Sequence, residues 1–137
     1  MQLLTAATLL PAIVTLLTVL LLIGAAMYVG YTRGKYRVAA PATSGHPAFE
    51  RAFRVQMNTL EGTVAFLPAL WVAAHYASPL WAGVLGLVWL AARVWYAIAY
   101  ARDAAKRGPA FGAAFVPLAA LIVLAFIGLG RAMLAGS

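Results

Sequence analysis

Cysteine is absent from the sequence. That excludes disulfides, thiolate metal sites and a cysteine nucleophile, so any reactive sulfur must arrive on a ligand. Charge is scarce as well. Only 9% of the 137 residues are Asp, Glu, Lys or Arg, where a soluble domain carries about a quarter. Only 3 residues are acidic, and no charged side chain precedes Arg33. The two histidines, His46 and His75, fall near expected helix ends with no second ligand close in sequence, which argues against a metal site.

What fills the chain instead is apolar, at 65% of residues. A bilayer core about 30 Å thick takes about 20 apolar residues per helix. Four such stretches account for nearly the whole sequence. The expected fold is all-α: a four-transmembrane-helix bundle forming one domain over residues 1–137, with helices at roughly 4–31, 48–75, 79–105 and 110–134. The first stretch is too long for a signal-peptide core and no small-residue cleavage site follows it, so it reads as a helix of the mature protein. Pro11 is tolerable in a membrane helix. Gly45-His46-Pro47 reads as a turn, and Lys106-Arg107-Gly108-Pro109 as a basic one. Ser78 is an expected N-cap with Pro79 the first helical residue, and Pro68 an expected bend. No internal repeat is evident.

The net charge is +7. In a soluble chain that would suggest nucleic acid. Here the cations flank apolar helices, where they serve as topology signals or meet anionic ligands. Six of the 10 lie in or at the edge of the loops after the first and third helices: Arg33, Lys35, Arg37, Arg102, Lys106 and Arg107. The loop after the second has none, and Arg131 stands alone at the far end. The positive-inside rule predicts a multi-pass protein with both basic loops cytoplasmic, in a bacterial inner membrane or the endoplasmic reticulum.

Charged and polar residues within spanning helices mark functional sites by default. On the second helix, Arg51, Arg54, Asn58 and Glu61 follow at steps of three, four and three, which places them on one face. Gln56 points away from it, toward a different neighbour. On the third, Arg93, Tyr96, Tyr100 and Arg107 form a second stripe. Guanidiniums suit carboxylates, and a lone carboxylate such as Glu61 suits an ammonium. The matching ligand is a small zwitterion with more negative than positive charge. Two structural readings compete: a polar network holding helices together, and an interfacial aromatic belt for Tyr96 and Tyr100. Trp71, Trp81, Trp89 and Trp95 read as packing and lipid-facing anchors. The pairs Gly30/Gly34 and Gly108/Gly112 resemble the membrane helix-packing motif, at helix ends.

The run Phe49-Glu50-Arg51-Ala52-Phe53-Arg54-Val55-Gln56-Met57-Asn58-Thr59-Leu60-Glu61 resembles the signature of the MAPEG family, the membrane-associated proteins in eicosanoid and glutathione metabolism. So do Phe66-Leu67-Pro68-Ala69-Leu70-Trp71 and Arg93-Val94-Trp95-Tyr96 with Tyr100 and Arg107. Arg33-Gly34-Lys35-Tyr36-Arg37-Val38 is similar to the first cytoplasmic loop of the family's type-two microsomal glutathione transferases. The resemblance runs from about Arg33 to Arg107. It implies a homotrimer that binds glutathione between subunits. Carried over by position, Arg54, Asn58, Glu61, Arg93, Tyr96 and Tyr100 bind glutathione from one subunit. Arg33 and Gln56 reach it from the next, and Arg107 activates the thiol.

Two departures bear on substrate. Gly34 stands where the cysteinyl-leukotriene synthases have a second arginine, and Gly62 where they have a tyrosine. Both argue for a broader glutathione transferase, or glutathione-dependent peroxidase, acting on hydrophobic electrophiles or lipid hydroperoxides. The alternative is a non-catalytic lipid-binding adaptor, since the family also contains a lipoxygenase-activating member. A small four-helix drug exporter would need an acidic residue in its first helix, and there is none.

Overall fold

The computed structural model describes residues 5–103, 105 and 107–137, Arg107 by its backbone alone. Four helices follow one another: α1 (Ala6–Lys35), α2 (Pro47–Tyr76), α3 (Pro79–Arg102) and α4 (Arg107–Ala135). α2 and α3 touch each other, and each also packs on both α1 and α4. The two inner helices thus form a central pair with α1 on one flank and α4 on the other.

The helix ends follow local chemistry. The Thr5 hydroxyl caps α1 by accepting from the Thr8 N–H at 3.4 Å. The expected start at Leu4 lies outside the described residues. α1 runs four residues past the expected Tyr31, because Arg33 and Lys35 in its last turn meet the negative end of the helix dipole. His46 caps α2 through Nδ1, which accepts from the Ala48 N–H at 3.1 Å, with Pro47 in the first turn. The same imidazole stacks on Tyr36 at 3.8 Å, closing the loop from α1. Ser78 and Pro79 open α3 as expected, with the Ser78 hydroxyl accepting from the Trp81 N–H.

Two expected boundaries are corrected. α3 stops at Arg102 rather than 105, because Asp103 is extended and its carboxylate accepts from the Ala105 N–H at 3.0 Å. α4 begins at Arg107 rather than 110. Gly108 and Pro109 therefore belong to its first turn, where proline's missing N–H has no helical partner to lose. Lys106 lies outside the described residues.

The buried residues of α2 recur at steps of three and four from Phe49 through Val55, Thr59 and Phe66 to Leu70 and Ala73. They form the stripe that packs on both neighbours. At its centre the Phe66 and Trp89 rings stack at 3.8 Å, 6° from parallel, among Val14, Leu70, Ala82 and Leu121. Buried hydroxyls on Thr18 and Thr63 bond back to the carbonyls of Val14 and Thr59, which satisfies them without another helix.

α1, α3 and α4 are each long and apolar enough to cross a membrane. α2 matches α1 in length at 30 residues, about 45 Å at helical rise, but its first half carries Glu50, Arg51, Arg54 and Glu61. Large apolar side chains such as Leu16, Met27, Val116 and Phe126 point outward from the flanking helices, as an apolar solvent permits. This is an integral membrane protein with an all-helical bundle.

Candidate functional site

The two polar stripes meet at the end of the bundle that carries the basic loops, and they are exposed very differently. On α3, Arg93, Tyr96 and Tyr100 are buried. On α2, Arg54 and Glu61 are exposed and Asn58 is half-buried. Between the stripes lies a pocket of about 360 Å³, lined by Arg54, Asn58, Tyr96, Gly108 and Phe111. Its walls therefore come from α2, α3 and the first turns of α4.

Stacked aromatics shape the inner wall. Tyr96 lies 5.7 Å from Tyr100 and 6.3 Å from Phe111, ring to ring. Val55 and Ala110 pack beneath them. Arg93 lies behind this wall, 5.5 Å from the Trp89 and Tyr96 ring centroids and 5.9 Å from that of Phe111. Its Nε and Nη1 are buried without a hydrogen-bond partner among the described residues. Three ring faces attract the cation, but they offer its N–H groups no lone pair.

The remaining sequence candidates are dispersed. Glu61 sits one turn beyond Asn58 on α2 and does not line the pocket. Gln56 is half-buried and stands about 200° around α2 from Arg54. Arg33 belongs to the opposite flank, where Nη1 donates to the Ala42 carbonyl at 2.8 Å and to that of Val38 at 3.3 Å. Its guanidinium covers the Phe49 ring at 4.6 Å. Within one chain Arg33 is thus separated from the pocket by the central helix pair. The Arg107 side chain lies outside the described residues; its backbone opens α4, one residue before pocket-lining Gly108. Arg51 shares the face of Arg54, yet its Nε donates to the Ala101 carbonyl at 3.3 Å and ties α2 to the end of α3.

Gly108 and Phe111 were missed from sequence. The only signal was the three-residue step from Gly108 to Phe111, the spacing of one helical face. Trp89 is buried, whereas Trp71, Trp81 and Trp95 are exposed, and the Trp71 Nε1–H donates to the Thr15 hydroxyl at 3.0 Å. None of these four lines the polar pocket. Among the described residues nothing lies within 4 Å of a Cβ at Gly30, Gly34, Gly108 or Gly112, so neither glycine pair packs against a described helix. A separate apolar cavity of about 450 Å³ lies on the α1 flank, between residues such as Leu20, Gly24, Tyr28, Val55, Val94 and Ile98. It shares no lining residue with the polar pocket.

Guanidinium, amide and phenol groups around a cleft suit a small polyanionic molecule. The aromatic wall and surrounding apolar helices suit a lipophilic partner beside it. Comparison with known proteins agrees with that chemistry. Residues 11–127 match the model of the MAPEG family. An uncharacterized Synechocystis protein is 43% identical over 117 residues, 85% of each chain. The microsomal glutathione S-transferase 2 of Bos taurus is 42% identical over 104 residues, 76% of this chain and 71% of the relative. The leukotriene C4 synthase of Bos taurus is 42% identical over 118 residues, 86% of this chain and 79% of the relative.

Proposed function

Because this chain is a member of the MAPEG family, we propose that it is a membrane-bound glutathione transferase, with glutathione-dependent peroxidase activity as a second outlet of the same thiolate. The observation that carries this reading is the pocket lined by Arg54, Asn58 and Tyr96 beside the start of α4. Glutathione is a zwitterion with two carboxylates and one ammonium. Arg54 and Arg93 meet the carboxylates, Glu61 meets the ammonium, and Asn58, Tyr96 and Tyr100 hold the peptide. Arg33 and Gln56, which face away from this pocket, serve the pocket of the next subunit in a homotrimer. That accounts for their separation from the other candidates within one chain. The basic loops lie in the cytoplasm, where glutathione is dissolved.

A cysteine thiol has a pKa of about 8.5, so most glutathione is protonated at neutral pH and is a weak nucleophile. Arg107, already cationic, does not take the proton. It stabilises the thiolate by charge and hydrogen bonding, and each unit of depression in thiol pKa corresponds to about 1.4 kcal/mol. The proton leaves to solvent. The thiolate sulfur then bonds to an electrophilic carbon of a membrane-dissolved acceptor, breaking the π bond of an activated alkene or the C–O bond of an epoxide, and the resulting carbanion or alkoxide takes a proton from solvent. With a lipid hydroperoxide it attacks the terminal peroxide oxygen and releases the alcohol. A second glutathione then reduces the resulting sulfenic acid, giving the disulfide and water. Glutathione binding to the detergent-solubilised protein, followed by thiolate absorbance at neutral pH, tests the reading. Binding with thiolate formation supports the enzyme. Binding without it favours an adaptor, and no binding makes the polar stripes structural.

A further inference from the structure

Gly62 lies in the interior of α2, where glycine is disfavoured by its backbone entropy. The space its side chain would take is filled from the neighbouring helix. A Cβ at this position would stand 2.9 Å from Cζ and 3.3 Å from Nε of Arg93, and nearer still to Nη2. The guanidinium therefore rests directly against the α2 backbone, and no other residue type at 62 leaves room for it there. Arg93 is only 6% exposed, and its Nε and Nη1 have no hydrogen-bond partner among the described residues. A guanidinium this deep among aromatic rings is costly unless an anion meets it.

We infer that Gly62 is a positioning residue for Arg93: the bare stretch of α2 sets where the guanidinium lies, and hence where an anionic group of glutathione is received. This rests on the glutathione reading above. The atoms that an alanine at 62 would strike are the far end of a flexible side chain, so the helix survives the substitution and the guanidinium moves instead. Alanine is otherwise the better helix residue. A purely structural role for Gly62 and a role exerted through Arg93 therefore differ in what they predict.

The test compares wild type, Gly62→Ala, Arg93→Met and the double variant in detergent. Glutathione affinity is measured by equilibrium dialysis, and Tm without ligand. Gly62→Ala should weaken glutathione about tenfold, the worth of one misplaced charge-assisted hydrogen bond. Arg93→Met should weaken it at least as much, and the double variant no further, since both changes act on one group. In Tm, Gly62→Ala should raise stability in the Arg93→Met background but not in wild type, where the methyl must displace the guanidinium. Unchanged affinity in Gly62→Ala, or the same further loss in both backgrounds, overturns the inference. If wild type binds no glutathione, the proposed function fails instead. The Tm cycle then decides the placement alone: coupling between 62 and 93 supports it and additivity overturns it.

Discussion

Arg51 and Arg54 stand one turn apart on the same face of α2, yet Arg51 donates to the Ala101 carbonyl at 3.3 Å while Arg54 lines the polar pocket. The helical repeat makes them equivalent; the end of α3 makes them different. Removing Arg51 should cost about 1 kcal/mol of stability, the net worth of a hydrogen bond, and leave glutathione affinity within about twofold. Removing Arg54 should do the reverse, costing affinity about tenfold or more with little change in stability. Thermal melts and equilibrium dialysis on Arg51→Ala and Arg54→Ala check the contrast, and identical behaviour of the two variants would contradict it.

Arg107→Ala should abolish turnover and largely spare glutathione binding. In wild type the bound thiol should ionise at least two units below its free pKa of about 8.5, and in the variant near that value. Because the bound pKa is depressed, thiolate persists at neutral pH and is lost only as pH falls through the lowered value. A spectrophotometric titration of the glutathione complex measures this directly. Equal loss of binding and turnover would remove Arg107 from the proposed role.

Arg93→Met should stabilise the protein without glutathione and weaken its binding, because the variant removes a buried cation whose Nε and Nη1 lack partners among the described residues. The expected loss of affinity is about 10- to 100-fold, in the range of hydrogen bonds to charged groups. A fall in ligand-free Tm would show instead that the aromatic contacts of Arg93 outweigh its burial.

Two glycines on α4 make opposite packing predictions. A Cβ at Gly128 would meet the Tyr76 backbone carbonyl at 2.6 Å, and backbone cannot swing aside. Gly128→Ala should therefore destabilise by about 1–3 kcal/mol, the usual range for overpacking. Nothing lies within 4 Å of a Cβ at Gly130, and Gly130→Ala should stabilise by about 0.5–1 kcal/mol through helix propensity. Detergent-phase melts of the two variants read both signs.

Hydropathy was enough to find α1, α3, α4 and the second half of α2, and Ser78-Pro79 was enough to place the α2–α3 boundary, because both signals are local. The far end of α3 was not legible. Ala104 and Ala105 continue a helical composition, and only the extended Asp103 with its carboxylate on the Ala105 N–H breaks the helix. Spacing also found the two polar stripes but not their burial. Arg93 and Arg54 read alike as arginines in helices, and one is enclosed by Trp89, Tyr96 and Phe111 while the other is exposed. That difference arises from which helix packs on which, and no single helix encodes it. Gly62 was legible only as a departure from the tyrosine of the leukotriene synthases, since the side chain that fills its space lies on another helix.

The connection between α2 and α3 consists of Ala77 and Ser78 alone. A link this short lets neither helix be threaded through a bilayer without the other, so the pair must enter as a hairpin. Its leading tip, Tyr76 to Pro79, carries no charge. Arg51 and Arg54 belong to the trailing half of α2, beside the basic loops. Inserted from that side, the hairpin drags neither Arg51 nor Arg54 across the hydrocarbon, a passage worth about 2.5–3.5 kcal/mol for each arginine on insertion scales. The placement of the polar residues at one end of α2 is thus also what makes the chain easy for a cell to deliver into a membrane.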